Sequence, residues 1–249
     1  MEIQKYSITL VAALLASGSF LSAQDSFLSE DDLFNEEVNE RVSVYDPMES
    51  INRYTFEFND YVYRNLLNPV ARGYTFITPD PVEDGAKNFF RNLRYPIRLT
   101  GNLLQGRWDG AWVETKRFAV NSVIGLAGIR VPADGFEGMS RIPSEGIGQA
   151  LGSWGIGEGP YLVLPLLGSS NVRDLVGLVG DAVVHPARKP FSSTDDWAWE
   201  WQTVLGGSEF IVSTPTLTDA YVRLKGNSID SYSALKNGYS QYRRAAIAE

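Results

Sequence analysis

The chain has 249 residues, 44% of them hydrophobic and 21% charged, with no cysteine and one histidine. This composition suits a folded protein of one or two domains, and it excludes disulfides, thiolate catalysis, cysteine-ligated zinc, iron–sulfur clusters and any multi-histidine metal site. The net charge of −8 is local: residues 24–50 hold nine acids against Arg41 alone, whereas residues 51–249 balance 20 acids with 20 bases. A neutral body offers no basic field to nucleic acid and meets no strong repulsion at a membrane surface.

Residues 1–23 read as a secretory signal peptide. Lys5 precedes an apolar run from Ile8 to Ala16, and Leu21-Ser22-Ala23 places a small residue before the cut, so the mature chain is expected to begin at Gln24. The run is too short for a membrane span, which needs about 20 residues. Residues 24–45 form an acidic leader, expected to be extended and solvated. Residues 46–249 remain as the folded domain.

Two helix starts share the pattern D-P-x-E: Asp46-Pro47-Met48-Glu49 and Asp80-Pro81-Val82-Glu83. In this pattern Asp is expected to cap free N–H groups, Pro suits the first helical position, and Glu reaches back. Ile51, Thr55, Phe58 and Val62 then follow helical spacing, as do Val82, Ala86, Phe89 and Leu93. Pro69 and Gly73 are expected to end the first region, and Pro96 the second. From Trp108 to Ile129 the pattern is helical again, with Val113, Arg117, Val120 and Ile124 on one stripe. Phe118 to Ile129 carries no charge; it is long enough to be buried or to lie in a bilayer interface, and periodicity alone favours a core helix.

The stretch from Gly146 to Gly168 is dense in glycine and encloses Tyr161 to Leu167. It matches neither a P-loop nor G-x-G-x-x-G. Asn171 to Val184 reads as an apolar helix that ends before Pro186. Trp197, Trp199 and Trp201 share one face if the segment is a strand and wrap around it if it is a helix. From Thr216 to Ile247 the patterning is helical, with Tyr232, Leu235, Tyr239 and Tyr242 near one stripe. Sustained alternation is scarce, so the fold class is mainly α in a single domain.

Motifs for catalysis are thin. Leu151-Gly152-Ser153-Trp154-Gly155 misses the G-x-S-x-G elbow by its first residue, and a Ser153 nucleophile has only His185 as a histidine base. Asp195 and Asp196 read as a loop or cap rather than an acid–base pair. Amphipathic helices, aromatics and a glycine-hinged apolar segment suit either a protein that binds or conducts amphiphiles or an ordinary globular binding module.

Several spaced motifs carry a resemblance to a known family. The first runs from Asp46-Pro47-Met48-Glu49 through Asn52-Arg53, Phe56 and Phe58-Asn59 to Pro69-Val70-Ala71. The second comprises Asn88-Phe89, Asn92-Leu93, Pro96, Asn102, Leu104-Gln105-Gly106, Arg117-Phe118, Asn121 and Gly125. The most specific is Gly148-Gln149-Ala150-Leu151-Gly152, then Gly155-Ile156-Gly157-Glu158-Gly159-Pro160-Tyr161, Leu164-Pro165 and Arg173-Asp174; a weaker echo closes at Asp230, Tyr232 and Tyr239. In order and number these resemble the MlaA/VacJ family of outer-membrane phospholipid-transport proteins.

That resemblance implies a ring of amphipathic helices in the inner leaflet of the outer membrane, on its periplasmic face. An amphipathic pore through the ring takes misplaced phospholipids from the outer leaflet and passes them to a soluble periplasmic lipid carrier. A trimeric porin holds the ring, and neither a cofactor nor covalent chemistry is implied. On this reading Gly155, Gly157 and Gly159 let a loop move as a gate, and Pro160 stiffens its far end. Arg117 and Asn121, one helical turn apart, face the pore or a buried polar network; Arg173 braces a helix or meets a head group. Phe58 and Asn59 are candidates for the membrane face of the first helix, with Phe58 on its apolar side.

The sequence departs from the family at one point. Members are typically lipoproteins acylated on a cysteine, and Leu21-Ser22-Ala23-Gln24 stands where that residue belongs. Anchoring by acylation is therefore not expected, and attachment would rest on the amphipathic body and on partners. The alternative is a soluble periplasmic protein that binds lipids or other hydrophobic ligands.

Overall fold

The computed structural model describes residues 43–143, 146–186, 198–226 and 228–248. The signal peptide, the acidic leader up to residue 42, and Asp195, Asp196 and Trp197 lie outside the described residues. The fold is mainly helical. Helix α1 (Glu49–Val62) runs through a wide π turn (Tyr63–Leu67) into α2 (Asn68–Ile77), followed by α3 (Asp80–Leu93), α4 (Tyr95–Leu104) and α5 (Trp108–Val123). A 3-10 turn (Pro132–Gly135), α6 (Ile147–Ser153), strands β1 (Tyr161–Leu164) and β2 (Gly168–Asn171), and helices α7 (Val172–Val184), α8 (Ala198–Gly226) and α9 (Ser231–Ala248) complete it. Helix α6 packs on α7, α4 on α5, and α8 on α2, while α9 touches α6, β2 and α8.

Strands β1 and β2 pair antiparallel, Tyr161 opposite Asn171 and Leu164 opposite Gly168. The outer edge of β1 is covered by side chains rather than by a third strand. Asn52 Nδ2 donates to the Tyr161 carbonyl (3.0 Å) while its Oδ1 accepts from Val163 N (2.9 Å). Two turns on, Asn59 repeats the device with the Leu164 carbonyl (2.9 Å) and Leu166 N (2.7 Å). Each amide offers one donor and one acceptor, as a neighbouring strand would, so α1 satisfies the exposed ladder and blunts the edge. Above this lies an aromatic core of Tyr63, Tyr161, Tyr221, Tyr232 and Tyr239 with Leu67, Val163, Leu217 and Leu235. Tyr63 stacks on Tyr221 at 4.7 Å between centroids.

The polarity of many helices is reversed relative to a water-soluble bundle. Helix α1 buries Asn52, Asn59 and Asp60, and α5 buries Glu114, Arg117 and Asn121 alongside Ala111. The large apolar side chains turn outward: Phe76 is 90% exposed, Val123 79%, and Trp108, Trp112, Leu126 and Val179 all more than 60%. Phe118 to Ile129 is thus not the core helix that its periodicity favours. Phe118 stacks on Tyr95, but Val123, Ile124, Leu126 and Ile129 lie at the surface.

Two local expectations fail for physical reasons. Neither Asp of the D-P-x-E pattern caps its helix. Met48 and Pro79 occupy the two N-cap positions without a side-chain bond, and Asp80 already lies in the first turn. Asp46 is drawn away by a tertiary cation: it accepts from Lys236 Nζ (3.0 Å), Asn52 Nδ2 (2.8 Å) and the Tyr232 hydroxyl. Nor do Pro69 and Gly73 end the first region, because the helical path continues to Ile77. The π turn just before Pro69 widens the coil, with Asn68 N bonded five residues back to the Tyr63 carbonyl, and so absorbs the ring that would clash in a regular helix. Pro96 opens α4 in its first turn. Trp199 and Trp201 fall on helix α8 rather than on a strand.

Candidate functional site

The glycine-rich segment forms a surface loop after α6, held at both ends. Trp154 Nε1 donates to the Leu104 carbonyl (2.9 Å), tying the loop's start to α4. At the far end Arg173 N and Val172 N donate to the carbonyls of Glu158 and Pro160 (both 3.3 Å). Gly155 and Gly159 have φ of +84° and +68°, conformations an L side chain adopts only at a cost, whereas a Cβ at Gly157 meets nothing within 4 Å. Between them Glu158 reaches helix α9, accepting from Arg244 Nη2 (2.5 Å) and Ser240 Oγ (3.1 Å). The loop is therefore a strap with open space at its centre and one ionic latch.

Beneath the strap, Asp174 gathers the buried charge. Its carboxylate accepts from Arg243 through Nε and Nη2 (both 2.8 Å), from the Tyr239 hydroxyl (2.7 Å), Asn171 Nδ2 (2.8 Å) and Arg173 Nε (3.2 Å). Asn171 Oδ1 in turn caps α7 by accepting from Asp174 N (2.7 Å). Burial alone would raise the Asp174 carboxyl, but Arg243 and then Arg173 and Tyr239 outweigh it and hold its pKa at about 2. Arg173 is 7% exposed, pairs with Asp174 and leaves Nη2 without a hydrogen-bond partner.

The remaining sequence-derived candidates separate. Arg117 and Asn121 join a buried polar network: Arg117 donates to Asp134 Oδ1 (2.5 Å) and to the Met139 carbonyl, and Asn121 Oδ1 accepts from Ala133 N (3.1 Å). Arg141, followed by Arg117, keeps the Asp134 carboxyl at about 2. Phe58 faces outward, 45% exposed, but Asn59 is only 2% exposed. Its placement on the membrane face is therefore corrected: its amide is spent on the β1 edge. Ser153 Oγ donates to the Ala150 carbonyl (2.9 Å), while His185 is buried with Nε2 3.8 Å from Glu209 Oε2, so the two pair with different groups.

The model of a family described as MlaA lipoprotein matches residues 44–246. The chain belongs to this family. The domain resembles a solved chain described as "Structural basis for maintenance of bacterial outer membrane lipid asymmetry", with a TM-score of 0.65 and 29% identity over 81% of this chain and 98% of that one. An uncharacterized protein of Rickettsia typhi is 29% identical over 92% of this chain and 90% of its own length. The intermembrane phospholipid transport system lipoprotein MlaA is 32% identical in Haemophilus influenzae, over 63% of this chain and 59% of that protein. In Escherichia coli K12 it is 34% identical, over 55% of each. The mainly helical, single-domain expectation and the resemblance to MlaA both stand on these matches.

Within this MlaA-type domain, reasoning from residue patterns missed Glu158, Asp174 as a hub, and the α9 bases Lys236, Arg243 and Arg244. Glu158 had a signal: it is the one charged residue from Gly155 to Pro160. The bases had none, since their partners lie 69 to 190 residues away.

Proposed function

We propose that this chain is a non-enzymatic component of intermembrane phospholipid transport, seated from the periplasmic face in the inner leaflet of the outer membrane. It takes mislocalised phospholipids from the outer leaflet through an amphipathic path and delivers them to a soluble periplasmic carrier, with a trimeric porin as its support. The reversed polarity of the helices carries this reading. Among the described residues no helix is long and apolar enough to cross a membrane. Large apolar side chains nevertheless face outward while asparagines, arginines and carboxylates are buried. Apolar exposure on this scale marks a surface that meets lipid or protein. A polar-lined path lowers the cost of moving a head group, which is several kcal/mol when it crosses hydrocarbon unsolvated. The family membership and the names of the MlaA relatives support the same reading.

Phe76 and Ile77, 90% and 76% exposed at the end of α2, test the seating. Replacing both with Glu is expected to release the protein from phosphatidylethanolamine–phosphatidylglycerol vesicles in a flotation assay and to leave its melting temperature unchanged. Undiminished flotation of the variant would remove the end of α2 from the seating, and a parent that does not float would reject the seating and favour the soluble-binder alternative. Transport itself is tested by outer-leaflet phospholipid: it should rise when the gene is deleted and fall on complementation.

The strap at Gly155 to Pro160 is the proposed gate. Gly157→Val has room for its side chain and meets no positive φ, so it is expected to leave the fold intact while slowing lipid flux. Gly155→Val adds roughly 1–2 kcal/mol of backbone strain. Wild-type flux in Gly157→Val would remove the gate from the mechanism.

A further inference from the structure

Four arginines from four segments lie near one another: Arg98 Nη1 donates to the Arg91 carbonyl (2.6 Å), and the charges of Arg98, Arg117 and Arg141 all act on Arg91. Arg91 lies on α3, Arg98 on α4, Arg117 on α5, and Arg141 in the segment that follows the 3-10 turn. Carboxylates reach three of them. Arg98 Nε donates to Glu114 Oε2 (2.8 Å), and Asp134 bridges Arg117 (2.5 Å) and Arg141 (2.6 Å). Arg91 differs. Its Nη2 donates to the neutral Asn88 Oδ1 (2.7 Å), and among the described residues no carboxylate is in ion-pair contact with it. Of the charges that act most strongly on Arg91, three are the cations Arg141, Arg98 and Arg117, and one is Asp134. Burial and those cations lower its pKa to about 10, so a half-buried guanidinium is held mostly among like charges, with no carboxylate among the described residues in ion-pair contact.

The neighbourhood is apolar as well as cationic. Ile129, 49% exposed, lies against Gly85 of α3, less than two turns before Arg91, with its Cγ2 3.0 Å from where a Gly85 Cβ would stand. Phe136, also 49% exposed, follows Asp134 by two residues. A surplus of guanidinium beside exposed apolar side chains complements an anion that carries a hydrocarbon chain. The planar fork of arginine matches phosphate oxygens in pairs.

We propose that Arg91, surrounded by Arg98, Arg117 and Arg141, binds the phosphate of a phospholipid head group, whose acyl chains lie along Ile129 and Phe136. This site rests on the transport reading above and gives it a point of head-group contact. Arg98, Arg117 and Arg141 keep their carboxylates and shape the field, while Arg91 supplies the free donors.

The test is a phosphorus NMR titration of the full chain with dihexanoylphosphatidylglycerol, a soluble short-chain lipid, and separately with inorganic phosphate. The parent is expected to bind the lipid. Arg91→Gln should weaken that binding roughly tenfold, the loss of one charge-assisted contact, and Arg91→Lys should recover part of it. Arg91→Gln is also expected to melt no lower than the parent, because it removes a like-charge contact. Should it fail to fold, Arg141→Gln at the exposed edge is expected to weaken binding several-fold. Equal lipid affinity in parent and Arg91→Gln overturns the site, and if both still float with vesicles the transport reading survives. Inorganic phosphate binding as tightly as the lipid assigns the cluster to a free anion and overturns the head-group claim. A parent that binds neither short-chain lipid nor vesicles overturns both.

Discussion

Asp174→Asn is expected to cost about 3–5 kcal/mol of unfolding free energy, because it strands the buried cations Arg173 and Arg243 without a counter-charge. The substituted amide keeps an acceptor oxygen for Arg243 Nη2 and Arg173 Nε, but its nitrogen faces donors from Arg243 Nε, Tyr239 and Asn171. Urea unfolding at neutral pH measures the loss; parent-like stability would mean that the cluster is solvated in solution. The same carboxylate predicts a pH dependence. Its folded pKa of about 2 lies below an unfolded value of about 3.9. A depressed folded pKa contributes stability that is full above the unfolded value and lost as pH falls through the folded one. The parent should therefore lose about 2 kcal/mol from this group between roughly pH 5 and pH 2. Asp174→Asn should show a shallower decline over that window, and identical slopes would refute the assignment.

Gly177→Val should be nearly as damaging, for a different reason. Helices α6 and α7 cross where Gly177 meets Gly148, and a Cβ at Gly177 would stand 2.3 Å from the Gly148 N and Cα. Backbone cannot rotate away as a side chain can. The helices must part, breaking the bond from Ile147 N to Asp181 Oδ1 (3.0 Å) and unseating Gln149 and Ala150. A loss of about 3 kcal/mol follows. Gly73→Ala in α2 is the control: nothing lies within 4 Å of its Cβ, so the better helix propensity should raise stability by about 0.5–1 kcal/mol. Thermal melting that ranks Gly177→Val with the parent would mean that the helices do not cross so closely.

Helical class and most helix positions were legible in the sequence because apolar spacing survives whichever way a helix faces. Facing itself was not legible. The stripe Ile51, Phe58, Val62 marks α1 as amphipathic, but only the structure shows that Asn52 and Asn59 point inward to a strand edge. Pro69 misled because a π turn cancelled a rule that holds in regular helices. Asp46 misled because Lys236, 190 residues on, competes with the local backbone for its carboxylate. Asn171 to Val184 was legible at both ends, since its cap is local. The strap's glycines were conspicuous, but Glu158 takes its meaning from Arg244, which no spacing connects to it.

Helix α9 bears on the timing of folding. Lys236, Arg243 and Arg244 neutralise Asp46, Asp174 and Glu158, acids supplied by three earlier segments. A polypeptide emerging N-terminus first exposes those acids before their partners exist, so the strap and the Asp46 segment before α1 stay unlatched until α9 is released. Contacts of such sequence separation also close slowly. The interior therefore locks last, when α9 brings its three bases to acids already in place.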